Sequence, residues 1–560
     1  MAGVDLRSMH PPSERDSRSP IDPATDGIDC DSALPEGWPC DIPCMGEATE
    51  ARDRGREDAS LTESGSPGLR GPAGPPPVPV AVAATAGIRA GKLAGRTMTS
   101  AIWVLAWPVL VQQMLQAFVG MADKLFAGRL GPDERVAALD AIGIGSYVGW
   151  FIVIAMSGLG IGGQAIIARA MGAGREAEAH RALGQAMSLS AIWGALVGVV
   201  LWTTAPALGQ VTGLAPDALE GLVVYLRVLA VSLPFAGLMM VGAQCLHGAG
   251  ETTWPAAIAV IVNLVNVAAS WLLSGVDLVF EVGGTTLALR DPLGLDLGIA
   301  GIAGGTAIGY AVGAACTLAV LARGVRDLAL RGIDLPVERP MLARIVRVGV
   351  PNFAEGISMW AVNLFILVFI GMIAAAEDTA GRGLQGAHII AVQWEAFSFL
   401  PGFAIGTAAG TLAGQYLGAG RPDLARRAVL ACTGIAIVAM GSLGVVFMTL
   451  GEPLTRFISP EPIHLETVPR LLFICGTVQV FFAITMVVRQ GLRGVGDTTW
   501  CLILTTVSSY GVRLPACYVL GVSMGLGLEG IWLGLCGEFV VRAALFGGRF
   551  LHGGWTRIRV

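Results

Sequence analysis

Gln244–Trp254 reads QCLHGAGETTW, and Gln490–Trp500 reads QGLRGVGDTTW. The two stretches are identical at seven positions and lie 246 residues apart. A second pair, GAGREAEAHRA at Gly172–Ala182 and GAGRPDLARRA at Gly418–Ala428, also matches at seven positions with the same offset. Because two independent pairs share one offset and each copy joins two long apolar runs, the sequence indicates a duplicated unit of hydrophobic spans.

The composition indicates a membrane protein rather than a set of soluble domains. Of 560 residues, 54% are hydrophobic and only 14% are charged. A span needs about 20 mostly apolar residues, and backbone groups in lipid must be satisfied within the segment, so such runs are predicted to be helices. We predict an all-α polytopic membrane protein with twelve transmembrane helices arranged as two pseudo-symmetric six-helix bundles. The runs lie near 101–128, 137–163, 184–208, 217–242, 254–275, 297–322, 346–375, 385–411, 429–451, 467–489, 499–521 and 527–550.

The domain boundaries follow from these runs. We predict a disordered cytoplasmic tail at 1–92, an N-lobe at 97–322, a linker at 323–345 and a C-lobe at 346–552. The tail is rich in Pro, Gly, Ser, Asp and Arg, and it lacks the basic and apolar segments of a signal peptide. Its three cysteines fit no zinc-ligand spacing, and their role stays open: Cys30, Cys40 and Cys44.

Charge predicts the orientation in the membrane. Lysines and arginines are concentrated on the side shared by the tail, the linker and the end of the C-lobe. The positive-inside rule then places both termini in the cytoplasm of a multi-pass protein of the inner membrane. On the opposite side, the loop at 274–297 alternates apolar and polar residues around Gly283–Gly284. This pattern predicts a short hairpin, to which we assign no function.

Several stretches together resemble the multidrug and toxic compound extrusion (MATE) transporters. They are MADKLFAGRLG at Met121–Gly131, both GAG turns, both GxGxTxW turns, LGIAGIAGGTAIG at Leu297–Gly309, and the segment Glu395–Gly420. The resemblance implies two bundles facing each other across a cavity, with alternating access. It also implies export of cationic or amphipathic organic compounds in antiport with H⁺ or Na⁺. We expect a monomer in the bilayer that is not an enzyme, needs no cofactor and binds no nucleic acid.

Asp123 is the first carboxylate inside a predicted span. A charge within the bilayer is costly, so such a residue usually faces the bundle interior and binds a proton or cation. The alternative is a solvated position among the lipid headgroups, next to Lys124. No other metal site is predicted beyond Na⁺ at Asp123.

A polar stripe follows one face of the fifth span. Asn263, Asn266 and Ser270 lie at i, i+3 and i+7, so they share a helix face. Hydrogen bonding between helices explains such a stripe as well as ion binding does. The resemblance assigns Asp123, Asn266 and Thr306 to a cation or proton-coupling network. Ser270 departs from the family, whose members often have aspartate there.

The second half offers different acids. Glu355, Glu395 and Glu538 each lie about ten residues into a span, near the bilayer midplane. We interpret them as counter-charges for cationic substrates in a cavity with aromatic walls. Further candidates for the cavity are Gln112, Gln113, Trp360 and Trp394. Arg489 is predicted to extend its side chain to the inner surface.

Three other functions are possible for a polytopic membrane protein of this kind. A flippase for a lipid-linked oligosaccharide would share the architecture, but such proteins favour a basic cavity, whereas the buried charges identified above are mainly acidic. A channel does not explain duplicated halves with different acids. An integral-membrane enzyme is the weakest alternative, because the sequence has no HExxH or P-loop motif.

Overall fold

The computed structural model describes residues 96–560, with gaps at 132–133, 212–213, 283–284, 291–292, 326, 333–335, 377–382 and 559. The predicted tail at 1–92, with Cys30, Cys40 and Cys44, lies outside the described residues, as do parts of the linker. The described chain is almost wholly helical, and its regular strands form one hairpin.

Six long helices form the first bundle, which we call the N-lobe. They are α1 (Met98–Ala127), α2 (Arg135–Gly172), α3 (Glu176–Val211), α4 (Pro216–Gly248), α5 (Thr253–Ser274) and α6 (Gly298–Arg323). Each is long and apolar enough to cross a membrane. α4 packs against α2, α3 and α6, and α5 packs against α6 and α1.

The second bundle, the C-lobe, repeats this order with an additional short helix and with one span divided in two. Its helices are α7 (Arg339–Ala376), α8 (Leu384–Gly418), α9 (Pro422–Thr449), the short α10 (Gly451–Ile458), α11 (Pro462–Gly494), α12 (Thr498–Ser508), α13 (Leu514–Cys517) and α14 (Gly527–His552). α11 packs against α8, α9 and α14, while α7 packs against α12.

The span predicted near 499–521 is helical but interrupted. Two π-helical turns, Ser509–Arg513 and Tyr518–Ser523, flank α13. Pro515 lies between them, and its ring and missing N–H disturb the regular i→i−4 ladder, which the wider turns relieve. Eleven uninterrupted helices of the described chain are long and apolar enough to be spans. With this interrupted run as the twelfth, the predicted fold is confirmed.

The predicted hairpin is also confirmed. β1 (Leu278–Val282) and β2 (Thr285–Leu289) pair antiparallel between α5 and α6, with Val282 opposite Thr285. The hairpin lies at the opposite end of the bundle from the two GAG turns. We call these ends the hairpin face and the linker face.

The duplicated turns have the same backbone conformation in both lobes. Gly174 has φ +69° and Gly420 has φ +72°, while Gly250 has φ +80° and Gly496 has φ +87°. Only glycine adopts such values without strain, so each turn ends its helix on a residue with no Cβ. The sequence repeat is therefore a structural repeat.

The lobes meet at the linker face through symmetry-related glycines. A Cβ on Gly172 would overlap the carbonyl oxygen of Gln415, and a Cβ on Gly418 would overlap that of Arg169. Gly172 and Gly418 are 246 residues apart, and so are Arg169 and Gln415, so the two contacts are equivalent positions of the repeat. Two hydrogen bonds join the lobes nearby, from Thr411 to the His247 carbonyl at 2.9 Å and from Gln415 to the Gly248 carbonyl at 3.0 Å.

The first helix belongs to both lobes. Near the linker face, its buried residues Ala101, Ile102 and Leu105 belong to the core of the C-lobe. Near the hairpin face, Phe126 and Ala127 belong to an N-lobe core. α1 packs against α5 in one lobe and α8 in the other. It therefore connects the surroundings of Asp123 to the C-lobe.

Candidate functional site

The Asp123 carboxylate lies in a buried cluster of neutral polar groups near the hairpin face. Asp123 is only 4% exposed. Thr306 Oγ1 lies 3.2 Å and 3.4 Å from its two oxygens, and Tyr225 Oη donates to Oδ2 at 3.4 Å. Asn266 Nδ2 donates to Thr306 Oγ1 at 2.9 Å. Asp123 is thus buried among the side chains of α4, α5 and α6, and does not lie among solvated headgroups.

Glycines of α6 allow this cluster to form. A Cβ on Gly305 would lie 2.5 Å from the Ser270 backbone nitrogen, and one on Gly301 would overlap the Leu273 carbonyl oxygen. Gly309, one turn further, faces Asn266. Small residues at i, i+4 and i+8 let two helices approach closely, so Thr306 reaches Asn266 and Asp123.

Tyrosines complete the cluster, and the sequence reading missed them. The ring of Tyr225 passes so close to Gly145 on α2 that a Cβ there would lie 2.7 Å from Cε1. Tyr310 on α6 is close enough to Asp123 to interact with it electrostatically. The available signal was that six tyrosines occur in the whole chain and that these two lie inside predicted spans.

Two residues of the predicted network lie outside the carboxylate's direct contacts. Ser270 is buried, but its hydroxyl donates to the Ile302 carbonyl at 3.3 Å. Asn263 donates to the Ala259 carbonyl of its own helix at 2.8 Å. Ser270 fits the alternative of hydrogen bonding between helices, and Asn263 bonds within α5. Asn266 contacts the hydroxyl that binds Asp123.

The cluster can hold a proton or a small cation. Asp123 supplies two oxygens, Thr306 and Tyr225 supply hydroxyls, and the Asn266 Oδ1 atom is buried without a hydrogen-bond partner among the described residues. Within the described ranges, no group of three His, Cys, Asp or Glu residues could hold a metal ion. A transition-metal centre is therefore not indicated there.

The structure places Glu355 in an ion-pair cluster with two arginines. It is therefore not the free counter-charge for cationic substrates that the sequence predicts. Arg493 Nη2 lies 2.7 Å from Oε2, and Arg489 Nη1 lies 3.4 Å from Oε1. Thr505 also donates to Oε1 at 2.7 Å. The prediction that Arg489 extends to the inner surface is wrong, because its guanidinium turns towards this buried carboxylate.

Glu538 is also paired with two arginines and is not a free counter-charge. Arg542 Nε lies 2.6 Å from Oε1, Arg513 Nη2 lies 3.1 Å from Oε2, and Ser508 donates to Oε1. The Glu538 residue is 0% exposed. The spacing of Glu538 and Arg542, and of Arg489 and Arg493, is i, i+4, which places each pair on one helix face. That spacing was the missed signal.

The remaining cavity candidates have varied surroundings. Glu395 interacts electrostatically with Arg513. Trp394 donates from its indole N–H to the Leu454 carbonyl at 3.2 Å, so it packs inside the C-lobe. Gln112 has a buried Oε1 with no partner among the described residues, while Gln113 and Trp360 are half-buried. The structure does not bring these residues into one cluster.

The last described residues join the two lobes at the linker face. Trp555 is buried and stacks on Phe550 at 5.3 Å, which holds the segment after α14 against the C-lobe. Arg169 of the N-lobe then donates to the Ile558 carbonyl at 2.6 Å. Together with the glycine contacts, this segment closes the linker face.

Two similar lobes, closed together at one face and each containing buried ionisable groups, define a polytopic membrane carrier. The family model described as MatE matches residues 108–272 and 351–519, one segment in each lobe. Because these segments cover more than half of the sequence, the chain belongs to the MatE family, whose members are transporters rather than enzymes.

Individual relatives agree with this membership. The chain is 28% identical over 458 residues to a probable multidrug resistance protein NorM of Thermotoga maritima, covering 81% of this chain and 92% of that protein. It is 25% identical to the multidrug resistance protein PmpM of Pseudomonas aeruginosa, with coverages of 77% and 86%.

Solved structures share the fold. A multidrug resistance MATE family transporter in an outward-facing conformation superposes with a TM-score of 0.71 at 20% identity, covering 82% of this chain and 97% of that one. A MOP superfamily transporter from Pyrococcus furiosus gives a TM-score of 0.70 at 21% identity, with coverages of 82% and 95%. At these identities the likeness concerns the fold alone.

Proposed function

We propose that this protein is a secondary active exporter of amphipathic organic compounds, driven by the entry of a proton or sodium ion at Asp123. Membership in the MatE family and the multidrug resistance names of its relatives support this function. The two lobes would expose the substrate site alternately to either side of the membrane, with both termini in the cytoplasm.

The observation that carries the proposal is that Asp123 has no cationic side chain among its hydrogen-bond partners in the described chain. Its hydrogen-bond partners are the neutral hydroxyls of Thr306 and Tyr225, in contrast to the arginine-paired glutamates of the C-lobe. A buried carboxylate without a cationic partner favours its protonated form unless a cation arrives. Binding and release of that ion can then bias the equilibrium between two conformations.

We favour the proton as the coupling ion. One carboxylate suffices to bind a proton, whereas Na⁺ loses its hydration shell only where several oxygens replace it. The family resemblance implies an acid at position 270, where this chain has Ser270, whose hydroxyl donates to the Ile302 carbonyl. The sodium alternative would use Asn266 Oδ1 together with the oxygens of Asp123 and Thr306.

A lipid-linked oligosaccharide flippase is the second candidate. The buried charges are not mainly acidic, as the sequence had suggested, since four arginines lie inside the C-lobe beside Glu355 and Glu538. The family match favours the exporter. A flippase would leave soluble compounds untransported in the experiment that follows, even with a gradient imposed.

The test is transport by purified protein in liposomes, with a proton or a sodium gradient imposed separately. A panel of cationic, neutral and anionic amphipathic dyes reports transport. We expect Asp123→Asn to keep dye binding but to transport at the rate of protein-free liposomes, because the amide cannot titrate. Wild-type transport by this variant would move the coupling role to the C-lobe acids.

Asn263→Ala is the matched control. Asn263 lies on the same helix face as Asn266, but its side chain bonds to the Ala259 carbonyl of its own helix. We expect this variant to transport at close to the wild-type rate. Equal loss in both variants would indicate that general disturbance of the N-lobe, and not the titration of Asp123, stops transport.

A further inference from the structure

The interior of the C-lobe holds more guanidinium groups than carboxylates. Four arginine side chains there are between 2% and 13% exposed, and they pair with two glutamates. Glu395, which interacts with Arg513, is a third acid. This group of four arginines and three glutamates comprises Arg489, Arg493, Arg513, Arg542, Glu355, Glu395 and Glu538. Even when all three glutamates are ionised, one positive charge in the group has no counter-charge.

Hydrogen-bond donors of these arginines are also unused. The Nε atoms of Arg489, Arg493 and Arg513 are buried and have no partner among the described residues. The Arg513 side chain is only 4% exposed. Buried charged donors are normally paired, because leaving one unsatisfied costs its full desolvation energy. The cluster therefore has both charge and donors to offer an anion.

The two ion-pair groups are neighbours with an aromatic side, because Thr505 donates to Glu355 and Ser508, three residues later on α12, donates to Glu538. Arg542 interacts electrostatically with both Arg513 and Arg489. The guanidinium carbons of Arg513 and Arg542 lie 5.3 Å and 5.9 Å from the ring centre of Phe539. Phe482 stacks on that ring at 4.3 Å. Cationic donors thus lie beside apolar ring surface.

We propose that this arginine cluster binds the carboxylate of an amphipathic organic anion, which is the exported substrate. The planar fork of arginine matches a carboxylate, and the neighbouring phenylalanines match its apolar part. The small surplus of positive charge fits one carboxylate better than a lipid pyrophosphate. This assignment rests on the proposed export function and names its substrate class.

The experiment compares three probes of similar shape and different charge. They are 1-naphthoate, the neutral 1-naphthamide and the cation (1-naphthylmethyl)trimethylammonium. Binding to the full-length protein in nanodiscs is measured by equilibrium dialysis, with empty nanodiscs subtracted. We expect the carboxylate to bind about tenfold or more tightly than the amide and the cation, as for a lost charge-assisted hydrogen bond.

Two variants each remove one guanidinium and leave the paired glutamate its other arginine. Arg513→Gln leaves Glu538 bound to Arg542, and Arg489→Gln leaves Glu355 bound to Arg493 at 2.7 Å. We expect each to weaken naphthoate binding about tenfold and to leave naphthamide binding unchanged. Arg227→Gln is the control, because Arg227 lies over the Trp202 ring in the N-lobe and should not affect naphthoate.

The inference is overturned if naphthoate and naphthamide bind equally, or if Arg513→Gln and Arg227→Gln have the same effect. Inorganic phosphate at millimolar concentration is added as a competitor. Displacement of naphthoate by phosphate in that range would assign the cluster to inorganic or lipid phosphate and overturn the organic carboxylate. These measurements need no ion gradient, so their failure is distinguishable from failure of Asp123 coupling.

Discussion

At the scale of single residues, the buried acids of the two lobes differ in their neighbours. Asp123 is bound by the hydroxyls of Thr306 and Tyr225, whereas Glu355 and Glu538 are each held between two arginines. An arginine-paired carboxylate is fixed in its charged form, while one bound by neutral groups remains free to exchange a proton. This contrast supports the two proposals made above, which place coupling in the N-lobe and anion binding in the C-lobe.

Glu355→Gln should strongly destabilise the protein. It leaves Arg489 and Arg493 buried without their shared counter-charge. Removing one partner of a buried ion pair typically costs about 3–5 kcal/mol. Thermal unfolding of the purified protein in detergent would show the loss as a lower Tm.

The control for Glu355→Gln is Glu466→Gln. Glu466 pairs with Arg470 on the surface of α11, where their side chains are 70% and 59% exposed. Exposed pairs contribute little because water screens them, so no measurable change in Tm is expected. An equally small effect at Glu355 would mean that its arginines find another partner, such as a bound anion.

At the scale of helices, close packing of α5 and α6 builds the Asp123 cluster. Gly305 faces the backbone of Ser270, and Thr306 is the next residue. Because Gly305 has no side chain, α6 lies close enough to α5 for Thr306 to contact both Asn266 and Asp123.

Gly305→Ala tests this dependence. The added Cβ would lie 2.5 Å from the Ser270 backbone nitrogen, which must shift, so α6 should move away from α5. We expect ion-driven transport to fall to background and the stability to drop by about 1–3 kcal/mol, as for overpacking. Transport and Tm are measured as described for Asp123 and Glu355.

The adjacent Gly304→Ala is a matched control for that substitution. A Cβ there would meet the Leu273 Cδ1 atom at 3.3 Å, the end of a flexible side chain. We expect nearly normal transport and stability. If Gly305→Ala behaves like Gly304→Ala, the close approach is unnecessary for coupling.

At the scale of the whole molecule, the lobes are closed at the linker face by repeated glycines and by the segment after α14. The predicted orientation places this face in the cytoplasm. A carrier closed on that face would present its interior to the opposite side of the membrane, so Asp123, near the hairpin face, would be reached by ions entering from outside.

Cysteine labelling tests this orientation. In a variant without native cysteines, Gly332→Cys lies in the linker, and Leu295→Cys lies beside the hairpin at a position 48% exposed in the wild type. A membrane-impermeant maleimide applied to intact cells should label only Leu295→Cys. The reverse pattern would invert the protein and the direction of coupling.

The sequence alone determined the class of fold. Apolar runs of sufficient length require helices in lipid, and the offset of 246 residues required two similar halves. The sequence also predicted that Asp123, Asn266 and Thr306 lie together, because a carboxylate in a span is costly and the family resemblance linked it to the other two. The structure brings these three side chains into contact.

Only the tertiary structure decided which buried charges are paired. Glu355 and its arginines lie more than 130 residues apart in the chain, on α7 and α11. A carboxylate at midplane depth has the same local sequence whether it faces a cavity or a guanidinium. The sign of the charge in the C-lobe therefore depends on which helices pack together, since Coulomb interactions act between neighbours in space rather than in sequence.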